Sequence, residues 1–136
     1  QNIFLGTLKE NITIGTEAVT IEAITELSAK VGLNDFVASL PNGYDTMLDP
    51  TGRRLPRSVT HKIMLVRALI NRPRLLLLQE PWMNCTEEDR KKIMQLLLEL
   101  KDTTMVIVSN DEDFAKQCSQ VIEMNENGML NAANKN

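Results

Sequence analysis

The sequence is short of cysteine, of long apolar runs and of any export signal, and each shortage excludes a class of protein. Its two cysteines, Cys85 and Cys118, have neither CxxC spacing nor metal-ligand spacing, so we predict no disulfide scaffold and no zinc site. No apolar run approaches the roughly 18 residues of a membrane-spanning helix. The opening residues, QNIFLGTLKEN, lack the basic start and apolar core of a signal peptide. They also lack an initiator methionine, which favours a piece of a longer protein.

Acidic residues are missing from one long window, between Arg53 and Leu78, which holds seven Lys or Arg. A basic window can meet phosphate on a nucleotide or a nucleic acid, and it can equally be a solvated face with structural arginines. No Phe, Tyr or Trp lies in the window, although single-stranded nucleic acid is usually bound with aromatic stacking. A nucleic-acid-associated module using residues 53–74 therefore stays open as an alternative, with nucleic acid an unfavoured partner.

The chain is organised around residues 72–82, which read RPRLLLLQEPW. The apolar run Leu75 to Leu78 predicts a strand buried on both faces, as in a parallel sheet covered by helices. Chemistry in such sheets gathers beyond the carboxyl ends of the strands, where Gln79 and Glu80 stand. Pro81 then ends the strand because it has no N–H to donate. From this run alone, Glu80 is either a site residue or an incidental acid in a surface turn.

The second half of the chain alternates strands and helices. This order predicts an α/β layer with parallel strands. The expected strands are 74–79, 103–109, 120–124 and a last one from 129, with a hairpin-type turn at 125–128 between the last two. The expected helices are 86–101 and 111–117, and the polar tail 131–136 is expected to fray.

The first half is helical and rich in loops. Asn34 is the expected cap of one helix, and Ser58 or Thr60 the cap of another. We expect residues 1–73 to form a helical subdomain beside a partial α/β core of residues 74–136. The expected helices are 20–31, 34–40 and 58–71, with an irregular or one-turn segment at 1–15 and a loop at 43–57.

Four stretches follow the order of one known family: GTLKENI at 6–12, LPNGYDT at 40–46, RALINRPRLLLLQEP at 67–81 and TTMVIVSN at 103–110. Over nearly its whole length the chain resembles the nucleotide-binding domain of ABC transporters of the exporter type. The resemblance implies an α/β fold, made of a helical subdomain plus the C-terminal part of a P-loop-type parallel sheet flanked by helices. It also implies that the phosphate loop, GxxxxGK(S/T), lies upstream of these residues, so the chain alone should not bind ATP tightly.

The family's signature, Leu-Ser-Gly-Gly-Gln, opens a helix that points at the γ-phosphate bound by a partner domain. The aligned residues here are Leu55, Pro56, Arg57, Ser58 and Val59. Pro56 replaces the Ser hydroxyl, and Arg57 and Ser58 replace the glycines that let backbone approach phosphate. Val59 replaces the Gln. The resemblance therefore implies nucleotide-binding positions that are degenerate and a weakened site on the partner.

The family's buried strand ends in Asp-Glu, where the Asp helps to hold Mg²⁺ and the Glu polarises the attacking water. The corresponding residues here are Gln79 and Glu80. Gln79 is a weak metal position because its amide carries no charge, whereas Glu80 keeps the chemistry of a catalytic base. Asn110 stands at the family's switch His and cannot shuttle a proton. Thr86 stands where the family has an Asp that contacts the other domain.

As a whole, the resemblance implies part of the ATP-binding subunit or domain of an exporter, at the cytoplasmic face of a membrane. Its implied partners are a second nucleotide-binding domain and a transmembrane domain. ATP and Mg²⁺ are the implied cofactors of the full-length protein, with none expected for this fragment alone. The changed motifs predict slow or absent hydrolysis. A functional ATPase with drifted motifs, using Glu80 as the base, stays open as the alternative.

Overall fold

The structure, a computed structural model, describes residues 3–128 and 130–134. Helices dominate its first half, and helices alternate with strands in its second half, as the sequence predicts. The elements are β1 (Gly6–Thr7), α1 (Leu8–Thr13), α2 (Ile21–Lys30), α3 (Asn34–Ser39), a 3₁₀ turn (Gly43–Asp45), β2 (Met47–Leu48), α4 (Arg57–Leu69), β3 (Leu75–Gln79), α5 (Glu87–Glu99), β4 (Thr104–Val108), α6 (Glu112–Ala115), β5 (Gln120–Met124) and β6 (Leu130–Asn134).

The β3–α5–β4 unit is the part of the fold that positions the site. β3 and β4 pair in parallel, from Leu75 opposite Thr104 to Gln79 opposite Val108. The helix between them begins at the expected cap, where the Thr86 hydroxyl accepts the Asp89 N–H at 3.2 Å. Because the strands are parallel, their carboxyl ends lie at the same edge, and the residues that follow them meet there.

One face of the β3–β4 pair is bare. Leu76 is buried, whereas Leu75, Leu77, Val106 and Val108 are between 53% and 68% exposed. The prediction that β3 is covered on both faces is therefore wrong for the described residues. The helices of the described residues cover the face that carries Leu76, and the opposite face meets solvent.

β5 has the expected bounds and the expected hairpin partner, but within the described residues it does not join the parallel β3–β4 pair. It pairs antiparallel with β6 and, within the described residues, with no other strand. The turn explains the hairpin: the Gly128 N–H donates to the Asn125 carbonyl at 2.9 Å, with Gly128 at a φ of 73°. The tail prediction is wrong as far as Asn134, because β6 continues to that residue. The expected strand start at Met129 and the tail residues 135–136 lie outside the described residues.

The prediction of an irregular or one-turn segment over residues 1–15 understates the helix, because α1 occupies the six residues Leu8–Thr13, which is more than one turn. A capping box starts this helix: the Thr7 hydroxyl accepts the Glu10 N–H at 3.1 Å, and the Glu10 carboxylate accepts the Thr7 N–H at 2.7 Å. Leu8 and Ile12 are fully buried, so packing against the core stabilises the helix that the capping box begins.

Two predicted caps are wrong. Asn34 is the first residue of α3 rather than its cap, because Leu33 already has helical dihedrals. α4 begins directly after Pro56, so neither Ser58 nor Thr60 caps it. The proline ring fixes φ at −52°, which prepares the chain for a helix without a side-chain hydrogen bond.

A buried asparagine ties the start of the chain to α4. The Asn11 side chain accepts the Phe4 N–H and donates to the Phe4 and Thr7 carbonyls, each at 3.0 Å. The Arg67 Nε donates to the Asn11 carbonyl at 2.6 Å, in the last turn of α1. Asn11 is fully buried, so these bonds satisfy the polar atoms of its side chain, which water does not reach.

A buried ion pair joins three other parts of the fold. On α4, Lys62 places its Nζ 2.5 Å from the Asp89 carboxylate of α5 and 3.0 Å from the Gly32 carbonyl. Gly32 lies two residues beyond the end of α2, at a φ of 74°, and a Cβ at this position would lie 2.0 Å from Asp89 Oδ1. The junction therefore requires glycine both for its backbone conformation and for its space.

The core lies where α1, α2, α4 and α5 meet. The largest fully buried side chains of the core are Leu8, Ile12, Ile24, Val31, Leu33, Ile63, Val66, Ile93 and Leu97.

Among the described residues, no helix is both long and apolar enough to cross a bilayer.

Candidate functional site

Glu80 lies one residue beyond β3, with its side chain turned toward the end of β4. Its backbone has a φ of 42°, an uncommon conformation for a residue other than glycine. Its N–H donates to the Val108 carbonyl at 2.8 Å, which extends the strand pairing by one bond. The carboxylate accepts the Asn110 N–H at 2.9 Å on one oxygen and the Ser109 hydroxyl at 3.1 Å on the other. Both carboxylate oxygens are therefore bound to the chain itself.

Among the residues that the sequence points to, the structure brings Glu80 and Asn110 together. The contact uses the Asn110 backbone N–H, so it does not depend on the side chain at that position. Gln79 lies beside Glu80 at the end of β3, and its side chain is exposed. It makes no hydrogen bond with any part of the chain that the structure describes.

Residues 56–59 form the start of α4. Arg57 is exposed and Ser58 is half-buried, whereas Val59 is 9% exposed and packs in the core. The Val59 side chain therefore faces inward rather than toward a ligand. No hydrogen bond between described residues joins this segment to Glu80. The nearest link is one turn further on, where His61 Nδ1 lies 3.0 Å from the Met83 carbonyl.

Three residues that sequence reasoning missed support the Glu80 carboxylate. The Asp111 N–H donates to the Ser109 hydroxyl at 3.1 Å, and the Asp111 carboxylate accepts Arg90 Nε at 2.9 Å and Nη2 at 2.5 Å. Asp111 also caps α6 by accepting the Phe114 N–H at 2.9 Å. A signal was present in the sequence: the polar run 109–111 directly follows a strand that lies parallel to β3.

An aromatic pair fixes the loop after Glu80. Trp82 and Phe114 are 7% and 3% exposed, and their ring centres lie 4.9 Å apart with planes inclined at 57°. This tilted arrangement is a favourable one for aromatic rings. The loop after β3 is thereby held against α6.

The charges around Asp111 shift its proton affinity. Burial by itself would raise the pKa of Asp111, but the Phe114 N–H and the Arg90 guanidinium together hold that pKa below its ordinary value of 3.8. The same hydrogen bond raises the pKa of Arg90. The pair is therefore ionised at neutral pH.

We expect this pair to make stability depend on acid. Because the pKa of Asp111 is lower in the folded chain than in the unfolded chain, its contribution is complete above 3.8 and is lost as the pH falls below that value. Asp111→Asn should remove the dependence while keeping an oxygen to cap α6. Unfolding measured against pH for both proteins tests this. A stability difference that stayed constant through the acid range would contradict it.

The donor set at this edge does not fit Mg²⁺ by itself. Gln79 offers a neutral oxygen, and Glu80 already accepts two hydrogen bonds. No cluster of three or more His, Cys, Asp or Glu that could hold a metal occurs between residues 3 and 128 or between 130 and 134. Metal-dependent chemistry therefore needs ligands beyond these residues.

The fold is that of an α/β nucleotide-binding domain. It superposes on a bacterial Atm1-family ABC exporter, solved with ATP bound, with a TM-score of 0.76, 20% identity and coverage of 88% of this chain and 21% of that one. Among curated proteins, a probable ABC transporter ATP-binding/permease protein of Haemophilus influenzae is 33% identical over 129 residues, 94% of this chain and 23% of the relative. ABC transporter B family member 1 of Dictyostelium discoideum is 28% identical over 91% of this chain and 14% of its own length.

The chain matches the exporter-type nucleotide-binding domain of ABC transporters. It spans less than a quarter of the length of these relatives. No protein-family model matches the chain.

Proposed function

We propose that this chain is part of the ATP-binding domain or subunit of an ABC exporter, with slow or absent ATP hydrolysis of its own. The observation that carries the proposal is the state of the Glu80 carboxylate. Each of its oxygens accepts a hydrogen bond from the chain, and the neighbouring residue is a neutral Gln79. The curated relatives support the transporter part of the proposal, since they are named as ABC transporter proteins.

The geometry of this site supports the view that Glu80 is a poor base. A general base must reach the proton of the attacking water at hydrogen-bond distance, directly or through one further water. At this site the Ser109 hydroxyl and the Asn110 N–H each take one acceptor position of the carboxylate, so an attacking water must share an oxygen with one of them. The two donors therefore limit the directions from which that water can approach Glu80.

In the full-length protein, ATP and Mg²⁺ would be held mainly by residues outside this chain. The chain would contribute Glu80 and Asn110 to its own nucleotide site. It would offer the start of α4, from Pro56 to Val59, to the site of a second nucleotide-binding domain. The exposed Arg57 is the one residue of that segment with a charge suited to phosphate. Coupling to a transmembrane domain would place the chain at the cytoplasmic face of a membrane.

The test is ATP turnover of the full-length protein beside that of Glu80→Gln. We expect a low rate that Glu80→Gln leaves unchanged, with ATP binding retained in both proteins. Glu126→Gln, an exposed change in the β5–β6 turn, is the matched control. Ordinary turnover that Glu80→Gln abolishes would instead establish an active ATPase with drifted motifs. A full-length protein that binds no ATP would overturn the nucleotide-binding part of the proposal.

We do not propose nucleic-acid binding, because the structure divides the basic window. Lys62 is buried against Asp89, and the Arg67 guanidinium bonds to Asn11. Two of the seven cations are therefore structural, and no single basic face contains the whole window.

A further inference from the structure

A continuous chain of hydrogen bonds runs from α5 to the Glu80 carboxylate. Arg90 donates to Asp111, the Asp111 N–H donates to the Ser109 hydroxyl, and that hydroxyl donates to Glu80. This order of donors and acceptors fixes the direction of the Ser109 hydroxyl hydrogen. Because the hydroxyl oxygen accepts from Asp111, its hydrogen is directed away from that N–H and toward Glu80. The position of Asp111 therefore decides where Ser109 points.

Arg90 differs from its neighbours on α5. Lys91 and Lys92 are largely exposed and lie near acids on their own helix. The Arg90 side chain is 21% exposed and also reaches a different element, where Nε and Nη2 both donate to Asp111 Oδ2. Two donors on one oxygen fix the direction of the carboxylate and leave Oδ1 free to cap α6.

We propose that Arg90 is a positioning residue for Glu80. By fixing the Asp111 carboxylate, Arg90 holds the turn at 109–111 against the end of β3. That turn supplies both donors that engage Glu80, the Ser109 hydroxyl and the Asn110 N–H. Arg90 therefore sets whether the Glu80 carboxylate stays bound to the chain or becomes available to water. The inference rests on the proposed function in one respect: Glu80 is the group whose availability matters for hydrolysis.

A purely structural role for Arg90 makes a different prediction. In that case its removal would loosen α5 and α6 as a whole, because Asp111 also caps α6. The positioning role predicts a local effect, confined to the turn that engages Glu80. Asp111→Asn separates the two, since it keeps a capping oxygen for the Phe114 N–H but removes the charge that attracts Arg90.

The experiment is amide hydrogen exchange by mass spectrometry on the full-length protein without nucleotide. We expect Arg90→Met to speed exchange in residues 109–111 by about tenfold, the scale of one lost hydrogen bond to a charged group. Residues 93–97 of α5 should keep their protection. Asp111→Asn should give the same local change, and Arg90→Lys should restore part of the protection. Lys92→Met, which removes an exposed cation of the same helix, should match the unmodified protein.

Unchanged exchange at 109–111 in Arg90→Met would overturn the proposal. Faster exchange of similar size throughout α5 and α6 would also overturn it, because that pattern is the structural role. Because no nucleotide is present, these outcomes do not depend on whether the protein binds or hydrolyses ATP. Failure of this inference and failure of the proposed function can therefore be told apart.

Discussion

Gly32→Ala should lower the free energy of unfolding by about 4 kcal/mol, from strain in the left-handed conformation together with damage to a buried ion pair. A Cβ at this position would lie 2.0 Å from Asp89 Oδ1, so the carboxylate must move. This movement separates the Asp89 carboxylate from Lys62 Nζ, which lies 2.5 Å away in the unmodified protein. The Lys62 ammonium group then loses its partner and has little access to water. Chemical unfolding, followed by circular dichroism, measures the loss.

Gly15→Ala is the matched control for this change. Gly15 has a φ of 72°, close to the 74° of Gly32, but a Cβ there would meet nothing within 4 Å. Gly15→Ala should therefore lower the free energy of unfolding by about 1 kcal/mol, from backbone strain alone. Equal losses for the two variants would show that contact with Asp89 does not make Gly32 necessary.

Asn11→Ala should lower the free energy of unfolding by about 3 kcal/mol, because it removes the partner of three part-buried backbone groups at once. The Phe4 N–H, the Phe4 carbonyl and the Thr7 carbonyl each lose a partner at 3.0 Å. The start of the chain should then detach from α4. Thermal unfolding measures the total loss, and proteolysis near residues 3–8 reports the detachment.

Asn34→Ala provides the comparison for Asn11→Ala. Asn34 is exposed, and its side chain makes one long contact of 3.4 Å with Asp35. Its removal should change stability by less than about 0.5 kcal/mol, as for most surface substitutions. A small effect at Asn11 as well would mean that water replaces the lost hydrogen bonds, and that the segment is less buried than its contacts indicate.

The elements that the sequence predicts well are those whose signals lie close together in the chain. β3 is an apolar run that ends two residues before Pro81, α5 begins at the Thr86 cap, and α2 ends two residues before Gly32. The helix α1, which is longer than the single turn expected, had such a signal in Thr7 and Glu10, but its six residues are too few for a periodic pattern. A helix or strand can therefore be predicted from local sequence where a capping residue, an apolar run and a residue that ends the element lie close together.

Pairing between distant residues is what the sequence does not reveal. The hairpin turn at 125–128 predicts that β5 pairs with β6, but no local pattern decides whether β5 also pairs with the parallel strands. The Arg90–Asp111 contact joins residues 21 positions apart. The closeness of Glu80 to Asn110 follows from parallel strand order, whereas the donors that engage Glu80 depend on how the chain turns after β4.

Trp82 gives the site an optical reporter. It is the only tryptophan in the sequence, it is buried against Phe114, and it lies two residues beyond Glu80. In this apolar position its indole should emit at short wavelength, and any opening between the loop after β3 and α6 should shift the emission to the red. Fluorescence of this unlabelled chain can therefore follow, in real time, whether a partner domain moves the loop that follows Glu80.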